Sequence, residues 1–234
     1  MALPTDPAES FVREVDENLR RDQAQDFMKK YGPWIVGAAL LFLAAVAGWI
    51  YWQDRQAAKA EAQTEQLSAI MTGIGAGQAA NADSQLQPLT ESDADGVRAA
   101  ARLTRAAVAL EKADRKTAIA EYRAVMDDEG LAQPYRDLAN IRATALEFDQ
   151  MQPQDVIARL EPLAEAGNPW FGSAGELTAM ALLKLGRKDE AGRMFAAIAA
   201  DKTVPETIRS RAVQIAGTLG VDATASLPAT ARQD

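Results

Sequence analysis

The stretch WIVGAALLFLAAVAGWIYW, residues Trp34–Trp52, decides how the rest of this chain is interpreted. It is nineteen residues long and contains no charge, no proline and no amide side chain. Because a helix rises about 1.5 Å per residue, such a stretch reaches across most of the roughly 30 Å hydrocarbon core of a bilayer. Lipid offers backbone groups no hydrogen-bond partner, so a continuous helix is the form expected there. We predict a single transmembrane helix over residues 34–53.

Two other interpretations of this stretch are weighed against an uncleaved anchor. A buried core helix is one, although core helices seldom run this long without a polar residue. A cleaved signal peptide is the other, since Ala58-Lys59-Ala60 has the small-residue pattern of a cleavage site. The charged segment before the apolar run exceeds thirty residues, which is atypical of a signal peptide. An uncleaved anchor is therefore favoured.

The cationic residues around the stretch predict its orientation. Within about fifteen residues before it lie Arg20, Arg21, Lys29 and Lys30, and within a similar distance after it lie only Arg55 and Lys59. The positive-inside rule then places the N-terminus in the cytoplasm and exports the residues after the span. The chain has a net charge of −8, and residues 54–234 hold 26 acids against 20 bases. Such a domain has no electrostatic footprint for nucleic acid or for anionic lipid.

Residues 1–33 are predicted to form a cytoplasmic segment with a helix from about Ala8. Phe11, Val15 and Leu19 recur every four residues on it. This narrow apolar stripe fits either a solvated helix beside the membrane or a docking stripe for a partner. Tyr31-Gly32-Pro33 is expected to break the helix just before the span.

Three small residues, Gly37, Ala44 and Gly48, follow one side of the predicted span at helical spacing. Small residues let two membrane helices approach closely, so these positions are candidates for contact with a partner helix. Chance spacing in a stretch rich in alanine and glycine is the other explanation.

Residues 54–95 are predicted as a helical extension and linker. Good helix formers continue to about residue 72, and Gly73, Gly75 and Gly77 end that helix. A polar connector follows, with a short helix around Ser84–Leu89. No strand precedes the three glycines, so they do not form a phosphate-binding loop.

Residues 96–220 are predicted to be an α-solenoid of helical hairpins. The expected helices are 97–112, 115–128, 134–149, 154–166, 172–185, 188–200 and 205–219. First helices of successive pairs begin 33–38 residues apart, which is the period of tetratricopeptide-like repeats. Residues 221–234 lack periodicity and are expected to be a disordered tail.

Small-then-large pairs recur in the second helix of each hairpin. They are Ala118/Tyr122, Val156/Leu160 and Ala191/Phe195. Such a pair places a small residue where two helices cross and a bulky one in the gap beside it. The third copy is the best formed, with Gly186 as the helix cap before it, and the first two copies are degenerate. The chain is thus expected to be all-α, with degenerate repeats after one span.

The order of these features resembles the YfgM-like family, ancillary subunits of the bacterial Sec translocon. The resemblance covers most of residues 25–220 and includes Gly48-Trp49-Ile50-Tyr51-Trp52, Trp170 and Gly175-Glu176. It implies a single-pass inner-membrane protein with periplasmic repeats that work beside the translocon. It also implies a membrane-anchored periplasmic chaperone and exported client chains as partners.

No candidate active site is found. The chain has no histidine and no cysteine, which removes the commonest general base, the usual nucleophile–base pairs and the usual zinc ligands. The mixed charges of Glu111–Lys116 are typical of a solvated surface. Asp127–Gly130 lacks the oxygen spacing of a calcium loop. We predict no cofactor, no metal and no small-molecule substrate.

First helices of stacked hairpins line the binding face in repeat proteins, and this register selects five residues for it. They are Leu103, Ile141, Phe148, Glu176 and Met180. A flexible methionine and an exposed phenylalanine suit a partner helix or an extended peptide. Packing of the same residues between repeats is the other explanation.

Three functions are open from the sequence. The first is a non-enzymatic scaffold that assists the Sec translocon and passes exported proteins to a periplasmic chaperone. The second is a membrane-anchored repeat adaptor of another envelope complex, such as a division, respiratory or outer-envelope assembly. The third is an enzyme that uses carboxylates, for instance a cell-wall hydrolase. The first is favoured.

Overall fold

The computed structural model describes the backbone of residues 7–224, with the side chains of Arg21 and of residues 27–224. Over these residues every regular element is helical, as the sequence predicts. The α-helices are α1 (Pro7–Gly75), α2 (Ala82–Leu86), α3 (Asp95–Glu111), α4 (Arg115–Met126), α5 (Gln133–Glu147), α6 (Pro153–Leu160), α7 (Phe171–Lys184), α8 (Lys188–Ala200) and α9 (Glu206–Thr218). Short 3₁₀ turns cover Ala79–Asn81, Gln87–Glu91 and Glu161–Leu163. The side chains of the predicted stripe Phe11, Val15 and Leu19 lie outside the described residues.

The chain divides into two compact units, Met1–Lys59 and Ala60–Asp234. The first unit contains the apolar stretch, which lies in the part of α1 that begins at Phe27. Its most apolar window has a mean hydropathy of 2.0, and none of that window is buried within the protein. Trp34, for example, is 80% exposed. In length and composition this helix could cross a membrane.

The expected break at Tyr31-Gly32-Pro33 is wrong, because α1 continues through Pro33. Proline cannot donate the backbone hydrogen bond of a helix, and its ring crowds the preceding turn. Gly32 reduces that cost, since a proline also clashes with the Cβ of the residue before it and glycine has none. The turns on either side of Pro33 therefore carry the helix across it.

Four apolar clusters hold the second unit together, and each joins three consecutive helices. Leu86 lies in the cluster of α1, α2 and α3, and Tyr122 in that of α3, α4 and α5. Leu160 lies in the cluster of α5, α6 and α7, and Phe195 in that of α7, α8 and α9. This stepwise sharing of helices between neighbouring clusters is the packing of an α-solenoid.

The predicted small-then-large pairs are all buried. In the order Ala118, Tyr122, Val156, Leu160, Ala191 and Phe195 the exposed fractions are 0, 6, 1, 0, 0 and 0%. The pattern therefore selected the residues at which the helices cross. Because the residues four apart share one side of a helix, each pair packs into the same cluster.

Gly186 ends α7 as predicted, with a left-handed φ of 77°. The Arg187 N–H donates to the Leu182 carbonyl at 2.9 Å, and the Gly186 N–H donates to the Leu183 carbonyl at 2.9 Å. This is the Schellman arrangement, which satisfies the last carbonyls of a helix and favours glycine. The chain can then reverse into α8 within three residues.

The expected polar connector after α1 is instead packed. Leu86 and Leu89 are 0 and 2% exposed and share a cluster with Leu67 of α1 and Val97 of α3. The short helix expected at Ser84–Leu89 is α2, which begins two residues earlier and passes into a 3₁₀ turn before Pro88. The last turns of α1 and α2 thus share an apolar cluster with α3, the first helix of the first repeat.

Two predicted boundaries near the C-terminal end also differ. The helix expected over 154–166 ends at Leu160, because Pro162 has no N–H with which to continue it, and a 3₁₀ turn follows. The expected disorder from Val221 is wrong for the first residues, since Val221 and Ala223 pack on the last cluster. Residues 225–234 lie outside the described residues. The domain boundaries at residues 33, 53, 95 and 220 stay predictions.

Candidate interaction surface

The five residues predicted to face a partner lie on three first helices and differ in exposure. Ile141 and Phe148 are 6 and 8% exposed and pack between α5, α6 and α7, so the expectation of an exposed phenylalanine is wrong. Leu103 is partly buried against the cluster of α3, α4 and α5. Met180 is 44% exposed. Met180 is therefore the one of the five that presents a large apolar side chain to solvent.

Met180 lies midway along a face of α7 whose charged residues are bound to neighbouring helices. Glu176 and Lys184 are four residues before and after it, so the three share one side of the helix. Glu176 accepts two hydrogen bonds from Arg211 of α9, one of them from Nη2 at 2.6 Å. Such a bidentate pair fixes both side chains. Glu176 thus connects α7 with α9, while Met180, between the two charged residues, stays exposed.

Lys184 forms the other end of this face. Its Nζ lies 2.9 Å from Asp149 Oδ1 and 4.5 Å from the centre of the Phe148 ring. The hydrogen bond from Lys184 holds the pKa of Asp149 below its usual value. The Phe148 ring therefore helps to hold the Lys184 ammonium in place. A partner that contacted Met180 would lie beside this positive charge.

The small residues of the apolar stretch are exposed. A Cβ added to Gly37 or to Gly48 would meet no atom within 4 Å. Ala44 is exposed as well. Their spacing of seven and four residues leaves a shallow side of α1 against which a second helix would fit closely.

Two buried glutamates connect successive helices, and sequence reasoning missed both. Glu121 of α4 is 7% exposed and accepts hydrogen bonds from Arg102 at 3.1 Å and Arg105 at 2.7 Å, both on α3. Its sequence signal was its place between Ala118 and Tyr122, at the border of the buried face. A buried carboxylate needs such partners, because its desolvation would otherwise be costly.

Glu147 repeats this arrangement one hairpin later. It is 5% exposed and accepts hydrogen bonds from Arg123 of α4 and from Arg159 of α6, the latter at 2.9 Å. One carboxylate thus bridges three helices. Glu121 thus joins the two helices of the first hairpin, and Glu147 joins the second hairpin to the first.

The acidic stretch Asp127–Gly130 closes the first repeat and does not gather around a metal. Arg98 donates from Nε to Asp128 Oδ2 at 2.9 Å, and Asp128 also accepts from the Gly130 N–H at 3.0 Å. The hydrogen bond from Arg98 lowers the pKa of Asp128. Among the side chains that the structure describes, no three acidic residues come together as a metal ion would require.

Comparison with known families gives one match over most of the chain. The sequence profile of the tetratricopeptide repeat-like domain matches residues 25–216. That range includes the apolar stretch and all of the helical hairpins. No curated protein and no solved structure matches the chain.

Proposed function

This chain belongs to the family of tetratricopeptide repeat-like domains, and from that premise we propose that it is a non-enzymatic, membrane-anchored scaffold of the bacterial inner membrane. Its repeats would stand on the periplasmic side, assist the Sec translocon and help exported proteins reach a membrane-anchored periplasmic chaperone. Repeats of this kind are typically surfaces for protein–protein contact.

The observation that carries the proposal is the order of two features in one chain. A helix long and apolar enough to cross a membrane comes first, and a stack of paired helices follows it. The excess of cations before the apolar stretch favours a cytoplasmic N-terminus. The resemblance to the YfgM-like family supplies the translocon and the chaperone as the proposed partners.

Two contact sites follow from the exposure of the predicted residues. Gly37, Ala44 and Gly48 would lie against a transmembrane helix of the translocon. Met180 would insert into a partner at the periplasmic face of the repeats, with Lys184 beside it. Leu103, Ile141 and Phe148 would support that face from within, and Glu176 would hold it through Arg211.

Site-specific photo-crosslinking in the native membrane tests both sites. A photoreactive residue at Met180 or at Ala44 should capture translocon or chaperone subunits at native expression levels. Thr207, exposed on the last helix of the stack, is the matched control position and should capture neither. Failure at both sites, with intact protein in the membrane, would reject the translocon assignment.

Purification of the untagged complex in mild detergent separates this function from that of another envelope adaptor. Translocon subunits in the complex support the proposal, and division, respiratory or outer-envelope components in their place contradict it. Protease added to spheroplasts checks the topology independently. Residues after the span should be degraded, and protection of them would overturn the periplasmic placement.

A further inference from the structure

An open groove of about 680 Å³ lies in the second unit, between the last turns of α1 and the segment that contains α2. Amide side chains line it on both sides, namely Gln66 of α1 together with Gln78, Asn81 and Gln85. Ala69 and Ile70 form an apolar part of its wall. All of these residues precede the first repeat, so the groove is separate from the face around Met180.

The four amide side chains are free to bind a ligand. Each is exposed, and none of them forms a hydrogen bond within the part of the chain that the structure describes. Neither Gln78 nor Asn81 is used to cap the helical segment that follows it. A ligand could therefore hydrogen-bond to these four side chains without breaking a contact within the protein.

The chemistry of this lining selects a neutral ligand that both donates and accepts hydrogen bonds. Each amide side chain carries a carbonyl acceptor and an NH₂ group with two donors. A quarter of the residues of this protein are charged, yet no charged residue lines the groove. An extended polypeptide backbone offers one donor and one acceptor per residue at a spacing of about 3.3 Å. Sugars are commonly stacked on an aromatic ring, and no aromatic residue lines the groove.

We propose that this groove binds an extended, unfolded stretch of polypeptide through its backbone. Contacts with the backbone supply affinity whatever the side chains are, and the exposed Ala69 offers a small apolar contact. The inference rests on the proposed function in one respect, because exported client chains are the unfolded polypeptides that a translocon-associated protein would meet. The groove would hold such a chain with little regard to its sequence.

The test uses the full chain in detergent micelles and a fluorescein-labelled peptide that is neutral, extended and free of aromatic residues. A second peptide has the same sequence but carries N-methyl groups on alternate backbone nitrogens, which removes donors and keeps every side chain. The groove variant replaces Gln66, Gln78, Asn81 and Gln85 with alanine. The matched control replaces Gln154 and Gln214, two exposed glutamines outside the groove. Circular dichroism confirms that both variants stay folded, and fluorescence anisotropy measures binding.

Loss of four backbone hydrogen bonds should weaken binding of the first peptide roughly 30-fold or more, since each contributes a factor of about two to ten. The control variant should bind as the wild type does, and the N-methylated peptide should bind as weakly as the groove variant. Equal binding by the groove variant, or equal binding of the two peptides, would overturn the proposal. So would preferential binding of a chitin oligosaccharide, used as a competitor.

Crosslinking from Met180, repeated in the groove variant, distinguishes this failure from a failure of the proposed function. Capture of the translocon without amide-dependent peptide binding would reject the groove alone. Amide-dependent peptide binding without capture from either Met180 or Ala44 would reject the translocon assignment and leave the groove in place.

Discussion

The first and third repeats solve the same packing problem with different chemistry. In the first, α3 and α4 are joined by Glu121 between Arg102 and Arg105, and the turn between the helices places Ala113 at a left-handed φ of 57°. In the third, α7 and α8 meet through Phe195 and the close approach of Gly175 to Ile198. Its turn has glycine where the first repeat has Ala113.

Because of this difference, we expect the two repeats to contribute differently to the stability of the stack and to the register of its helices. Buried apolar contact stabilises in proportion to its area. A buried ion pair loses much of its Coulomb attraction to desolvation, but it penalises any arrangement that leaves the charge unpaired. We therefore expect the third repeat to supply stability and the first to fix the register of its helices.

The largest effect should come from truncating the apolar anchor of the third repeat. Phe195 is fully buried, so Phe195→Ala should cost about 3–5 kcal/mol, from lost transfer energy and the cavity left behind. Hydrogen exchange followed by mass spectrometry on the full chain should show α7, α8 and α9 opening together. Loss of protection confined to α8 would contradict the shared cluster.

The matched change in the first repeat is Tyr122→Phe. It places a phenylalanine at the position that Phe195 occupies in the third repeat. Burial raises the pKa of Tyr122, and no hydrogen bond of its hydroxyl is part of the described packing. Stability should therefore change by less than about 1 kcal/mol, as for other volume-conserving swaps. A large loss would show that the two repeats do not share a packing position.

Removing the buried charge of the first repeat should have the next largest effect. Glu121→Gln keeps the shape but leaves Arg102 without its counter-charge and Arg105 with Asp83 alone, which should cost roughly 2 kcal/mol because both arginines stay partly solvated. Urea unfolding measures it. Glu190→Gln in the third repeat is the control, since the Glu190–Arg187 pair is exposed and its loss should be far smaller. Equal losses would refute the assignment of a special role to Glu121.

The same contrast explains how much of the structure could be predicted. Phe195, Leu160 and Gly186 follow helical periodicity and turn chemistry, which are local, and the sequence located them correctly. Glu121 and Glu147 did not stand out, because a glutamate on a helix is usually solvated, and their partners lie on other helices.

The groove and the packed connector were missed for a related reason. Residues 78–95 look polar in composition, and the burial of Leu86 and Leu89 depends on α3, which follows them. The four amide side chains indicate a binding site only because they line one groove. They come from two separate segments of the chain, α1 and residues 78–85. Likewise, the repeat register placed Met180 and Phe148 on the same binding face, but in the structure Met180 is exposed and Phe148 is buried.

A fourth prediction concerns the end of the stack after the third repeat. A Cβ on Gly192 would lie 2.8 Å from Val221 Cγ2, so Gly192→Ala should cost roughly 1–2 kcal/mol by overpacking. Adding Val221→Ala should recover part of the loss, because the two sites share the strain. Gly217→Ala is the control, as nothing lies near its added Cβ. Thermal unfolding by circular dichroism measures all three, and no recovery in the double variant would contradict the packing of Val221.

A small effect is expected at the turn between the two helices, where the third repeat has glycine and the first has alanine. Ala113 holds the conformation that glycine holds at Gly186, and the Asp114 N–H still donates to the Ala109 carbonyl at 2.8 Å, so the turn is complete but strained. A left-handed alanine costs about 1–2 kcal/mol, and glycine returns roughly half of that to the unfolded chain as entropy. Ala113→Gly should therefore stabilise the protein by about 0.5–1 kcal/mol in urea unfolding.

Gly186→Ala should destabilise it by a similar amount, since nothing lies within 4 Å of the added Cβ and only backbone strain is introduced. If Ala113→Gly lowered stability instead, the turn of the first repeat would be held by its side chain, and the two repeats would not share a common turn.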